Sequence, residues 1–187
     1  MRKLILIIAV LFSFQMMHSQ NREISGVTFP PVVKVKDQTP MVFNGCGLRE
    51  KYTLDLYVAG LYLTNTSMDA KKIINEDKPQ AIKIVITSSK VTRDKFNESV
   101  REGFENATEG KATKEEIAEF KSFFSDPFEV NDEILMIYKP GKGVAVIIEK
   151  EMKGVMPGLE FKKALFAIWL GGKPASAKLK KGMLGQN

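Results

Sequence analysis

Hydrophobic and polar positions change period several times along the chain, and each change marks an element. Across residues 54 to 63 they alternate, with Leu54, Leu56 and Val58 on one side and Asp55, Tyr57 and Ala59 on the other, which predicts a long strand over Tyr52 to Leu63. Ile82, Ile84 and Ile86 keep the same two-residue period and predict a further strand with one apolar face. Met41 to Leu48 reads as extended, and Ile24 to Phe29 and Val32 to Val35 read as short strands broken by Pro30-Pro31. Ile134 to Tyr138 and Val144 to Ile148 flank Lys139-Pro140-Gly141-Lys142-Gly143, a hairpin whose loop is too long for a two-residue turn.

Elsewhere the period lengthens. Phe96, Val100 and Phe104 recur every four positions after Thr92, an N-cap residue, so one helical face is apolar. Thr113 and Glu116 form a capping box that opens a second helix, burying Ile117, Phe120 and Phe124. Phe161, Ala164, Leu165, Ile168 and Trp169 make the apolar stripe of a third, which Gly171-Gly172 and Pro174 terminate. Ser67 is expected to cap a short helix reaching about Ile74, and a basic helix from about Ala175 to Leu184 ends the chain. Strands, then helices, then a hairpin, then helices describe an α+β protein with helices packed on one face of a largely antiparallel sheet. Such layers leave a slot for an apolar ligand.

The N-terminus follows a different rule. Arg2 and Lys3 precede an apolar run from Leu4 to Phe14 and a small residue, Ser19, the order of a secretory signal peptide; the run is shorter than the ~18 residues of a spanning helix. Residues 1–19 are therefore expected to be a leader and 20–187 one periplasmic or secreted domain, with no stable membrane span once the leader is cut. Cleavage would also remove His18, the only histidine, leaving one thiol and no imidazole. That excludes a Ser-His-Asp triad, a Cys-His pair, a His-ligated zinc or haem and an internal disulfide, so no metal and no cofactor is expected. Cys46 reads as a small core residue.

With 187 residues, 44% hydrophobic and 27% charged, and no linker or repeat, a single domain is the economical reading. The formal charge of +6 includes the leader's Arg2 and Lys3, and the densest basic cluster is Lys178, Lys180 and Lys181. This is too little for the continuous basic stripe of a nucleic-acid binder.

Asn44-Gly45-Cys46-Gly47-Leu48-Arg49, followed by Leu56-Tyr57-Val58-Ala59-Gly60-Leu61-Tyr62-Leu63, resembles the chalcone isomerase-like family, in which a glycine-containing turn carries an arginine and the next strand ends in Gly-x-Tyr-Leu. The resemblance extends over roughly residues 40–185 and implies that family's open-faced antiparallel sheet with helices on one face. The family contains plant enzymes that close chalcones to flavanones, non-catalytic relatives that bind fatty acids, and bacterial members of unclear role. Arg49 matches the arginine that meets the ligand's anionic oxygen, a task suited to an always-charged planar guanidinium. Tyr57 falls where the isomerases carry threonine and the fatty-acid binders tyrosine. Phe96 falls where the isomerases have a catalytic tyrosine, and a phenyl ring donates no hydrogen bond.

The resemblance thus implies a small amphipathic ligand, a fatty acid, held by Arg49, Tyr57, Phe96 and Val100. An isomerase acting on a phenolic unsaturated ketone and a ligand-free interaction domain are the alternatives. One geometric condition attaches to the site. On a single straight strand Arg49 and Tyr57 would stand about 26 Å apart, so the chain must fold back or bulge between them; Gly45 and Gly47 would permit a bend. Asp55 reads as a solvated strand-edge carboxylate, and Phe120, Phe123, Phe124 and Phe128 as core aromatics that could also roof a pocket.

Overall fold

The computed structural model describes residues 22–36 and 39–186; the expected leader lies outside them. Arg22–Ile24 (β1) and Val27–Phe29 (β2) form a two-stranded ribbon, turned at Ser25-Gly26, where one strand was expected. Val32–Val33 (β3), Met41–Lys51 (β4), Leu54–Leu63 (β5), Gln80–Ile86 (β6), Glu133–Lys139 (β7), Gly143–Ile148 (β8) and Glu151–Met156 (β9) make a curled antiparallel sheet. Its spatial order is its sequence order, so every pairing is between chain neighbours.

Helices enter as insertions. Ala70–Asn75 (α1) separates β5 from β6, and its N-cap is Asp69, which accepts from the Lys72 N–H; Ser67 only supports Asp69 from outside the helix. Arg93–Asn106 (α2) and Lys114–Ser122 (α3) lie between β6 and β7, with Thr92 and the Thr113/Glu116 box capping them as expected. Leu159–Leu170 (α4) and Ala177–Met183 (α5) follow β9. The last strand of the meander, β9, escapes a pattern reading because Glu151, Met152 and Val155 are exposed along a sheet edge and carry no alternation.

The sheet separates two cores. Ala59, Leu61, Leu63, Ile82, Ile84 and Ile86 face the helices, together with Phe96, Val100, Phe104 and the α4 stripe. On the other face Phe29 and Val27 of the ribbon cover Val58, Tyr62, Ala81 and Val85. The Gly-x-Tyr-Leu segment explains this cover. A Cβ at Gly60 would sit 2.5 Å from the Phe29 ring, so glycine makes room for that ring, and the Tyr62 hydroxyl donates to the Pro30 carbonyl at 3.0 Å.

Candidate functional site

Between Lys51 and Leu54 the chain reverses through Tyr52-Thr53, with Tyr52 in the left-handed region at φ 58°. The reversal places Arg49 directly opposite Tyr57 in the β4/β5 ladder. Cross-strand partners project to the same face with Cβ atoms about 5 Å apart. A separation that a straight strand would have made prohibitive becomes a neighbour contact. The glycines play a different part from the bend they would permit. A Cβ at Gly45 would stand 2.3 Å from the Gly182 carbonyl oxygen and one at Gly47 2.9 Å from that of Leu179, so both let α5 lie against β4.

The ladder slips once beside the pair: Arg49 faces Tyr57 but Glu50 faces Asp55, leaving Leu56 as the extra residue of a bulge. A bulge reverses the inside/outside phase of everything beyond it. Leu54 and Leu56 therefore join Tyr57 on the cavity side, while Val58, which simple alternation grouped with them, packs on the opposite face. Asp55 is exposed at the strand end, in keeping with a solvated carboxylate.

Arg49, Tyr57, Phe96 and Val100 all line one cavity of about 730 Å³ between the sheet, α2 and α4. That volume lies within the ~300–1,000 Å³ usual for small-molecule sites. Leu56, Phe96, Val100 and Ile168 give it apolar walls. The Phe96 ring is fixed by Phe124 and Phe128, with centroids 4.9 and 5.1 Å away. Phe120, Phe123, Phe124 and Phe128 do not line the cavity; they pack α2, α3 and α4 together behind it.

Three polar groups meet at this wall. The indole N–H of Trp169, on α4, donates to the Tyr57 hydroxyl oxygen at 3.1 Å. Among the described residues no acceptor takes the Tyr57 O–H, whose proton is therefore available to a ligand. Burial pushes the phenol above its ordinary pKa, opposed by the Trp169 hydrogen bond and by the neighbouring Arg49 charge. It is a neutral donor at any physiological pH.

Arg49 donates through Nη1 to the Glu50 carbonyl at 2.7 Å, which aims the guanidinium without neutralising it. The Glu50 carboxylate turns away to Lys178 at 2.6 Å. Among the described residues Arg49 has no carboxylate partner, although it is partly buried. Trp169 had been visible in the sequence only as part of an apolar stripe. The usable signal was chemical: a buried indole N–H needs an acceptor.

The remaining candidates are structural. Cys46 is buried on the outer side of the sheet, which pushes its thiol up to about 11 and keeps it protonated. Lys180 donates to the Gly171 carbonyl that ends α4, and Lys178 pairs with Glu50 at the surface, so two charges of the basic helix have partners within the chain. Lys162 is fully buried, and its Nζ donates to the carbonyls of Ile73, Ile74 and Glu76 at 2.9, 3.0 and 3.0 Å, capping α1. Among the described residues no cluster of histidine, cysteine and carboxylates could hold a metal ion, and no helix is long and apolar enough to cross a membrane.

No curated protein sequence matches the chain. Among solved structures, a fatty-acid binding protein of Arabidopsis thaliana matches with a TM-score of 0.67 at 21% sequence identity, over 85% of this chain and 92% of its own. At that identity the likeness is one of fold: the same curled sheet carrying helices on one face. The sequence itself matches the chalcone isomerase-like family from residue 21 to residue 185, and with that the chain belongs to the chalcone isomerase-like family.

Proposed function

We propose that the protein is a non-catalytic carrier or receptor for a fatty acid or similar amphipathic carboxylate, acting in the periplasm or outside the cell. The observation that carries this reading is the pairing of Arg49, without a carboxylate partner, and Tyr57, with an unaccepted O–H, on the wall of an otherwise apolar cavity. A guanidinium drawn partly out of water gains most from an anion, and two donors on adjacent strands suit the two oxygens of one carboxylate. Leu56, Phe96, Val100 and Ile168 would shed water onto the acyl chain. The ligand named for the Arabidopsis structure is of the same chemical class.

Loss of one charge-assisted partner costs about 1.5–3 kcal/mol, ten- to a hundredfold in affinity. Titration of wild type and Arg49→Ala with a fluorescent fatty acid tests the assignment. The variant is expected to bind ten- to a hundredfold more weakly, and equal affinities would remove Arg49 from the site.

A further inference from the structure

The exposed part of the cavity lining comes from the β4/β5 hairpin tip, the entry and outer face of α2, and the segment leaving α4. At the tip Tyr52 is 92% exposed and Leu54 43% exposed, two large apolar side chains held in water beside the cavity. Around them stand Lys51, Lys90, Lys95 and Lys173, all exposed and all part of the same lining. None of the four lysines is in an ion pair among the described residues. Of the acids beside them, Asp94 is engaged by Arg93 and Glu98 by Arg101, while Glu102 in the lining and Asp55 on the hairpin offset part of the charge. The rim therefore keeps an excess of positive charge together with an exposed tyrosine and leucine.

We propose that this rim docks on an anionic lipid bilayer and that the cavity exchanges its ligand there. The proposal rests on the fatty-acid reading for its choice of lipid over another polyanion. A phenol ring sits well at the headgroup level, where its body is apolar and its tip wet, and a leucine beside it enters the acyl boundary. Lysines near such a surface each attract it by an amount equivalent to about fivefold in partitioning. Nucleic acid would match the charge and leave Leu54 in water. Docking at the rim would let an acyl chain pass between bilayer and cavity without crossing bulk water, the costly step for such a ligand.

Cosedimentation of the ligand-free protein with phosphatidylcholine vesicles, with and without phosphatidylglycerol, tests the proposal at low and high salt. Binding is expected only with the anionic lipid, and salt should weaken it. Lys51→Gln and Lys90→Gln should each lower partitioning about fivefold. Tyr52→Asn, which retains a residue tolerant of positive φ, and Leu54→Ser should lower it as well. Arg49→Ala, by contrast, should weaken fatty-acid binding measured without vesicles and cause no comparable loss of partitioning, which separates the docking rim from the carboxylate site.

Equal partitioning onto both vesicles, or none onto either, would overturn the docking surface while leaving the fatty-acid titration to stand by itself. Vesicle binding by a protein that takes no fatty acid would overturn the reading of the cavity and keep the surface. Binding to soluble polyglutamate as tight as to vesicles, and indifferent to Tyr52→Asn and Leu54→Ser, would assign the rim to an acidic macromolecule and overturn the lipid assignment.

Discussion

Arg49 keeps its charge unpaired because of where its neighbour points. Had the Glu50 carboxylate folded back instead of reaching Lys178, the guanidinium would be paired and the cavity electrically quiet. Trp169 acts one step removed: by donating to Tyr57 it occupies a lone pair of the hydroxyl and directs the O–H elsewhere. Trp169→Phe should therefore weaken fatty-acid binding by about 1 kcal/mol, roughly fivefold, and the same change made on a Tyr57→Phe background should have no further effect. A full fivefold loss in both backgrounds would mean that the indole acts by packing alone.

Lys162 supports a second measurement. Burial brings its ammonium down to about 7, against 10.5 for an ordinary lysine, with Glu76 and Asp77 opposing the shift. Between those values the unfolded chain binds more protons than the folded one. The contribution of this group to stability is thus flat below 7 and rises with pH above it, by at most about 1.4 kcal/mol per unit. Denaturant unfolding of wild type and Lys162→Met from about pH 6 to about pH 9 should show the difference shifting in favour of wild type as pH passes 7. A constant difference would contradict it. The roles of Lys162 and Trp169 depend on partners 86 and more residues away, beyond the reach of any local pattern, whereas Arg49, Tyr57, Phe96 and Val100 could be nominated because a short motif and a helical stripe carry them.

The strands and helices with a clean period were legible in the sequence: β6, the β7/β8 hairpin, α2, α3 and α4 all stand where spacing and caps place them. The β4/β5 segment was legible only in part. Its alternation reads straight through Leu54, Leu56 and Val58, yet the bulge at Leu56 changes the phase, and a bulge leaves no mark on a two-residue period. A second slip, between Phe43 and Gly45, frees Asn44 to donate to the Ser67 and Met183 carbonyls and to accept from the Ser67 N–H. That side chain ties β4 to α5, and the bare Gly45 backbone completes the approach. Gly45→Ala would force a Cβ against the Gly182 and Gly185 backbone, at 2.3 and 2.7 Å, which neither side can yield by a rotamer change. Destabilisation of about 1–3 kcal/mol is expected, a Tm fall of several degrees by calorimetry. An unaltered Tm would show that α5 sits further from β4 than described.

Taken as one object, the protein is a curled sheet with its ligand-sized space on the helix side and its ribbon on the other, and the chemistry of that space favours holding over reacting. Ring closure of a chalcone needs donors already aimed at the ketone oxygen as charge develops there. Phe96 supplies none, and the loss of one preorganised donor costs on the order of 10²–10³ in rate. Chalcone absorbance should therefore decay scarcely faster with the protein than without it, giving racemic flavanone; rapid formation of a single enantiomer would make the cavity an active site.

In the proposed function the cavity selects a carboxylate through Arg49 while its walls take the chain. Calorimetric titration with a fatty acid and with its methyl ester separates those two contributions, because the ester keeps the chain and loses the charge. Wild type is expected to prefer the acid by about ten- to a hundredfold, and Arg49→Ala to abolish the preference by weakening the acid alone. Equal binding of acid and ester by wild type, or a preference that survives Arg49→Ala, would contradict it.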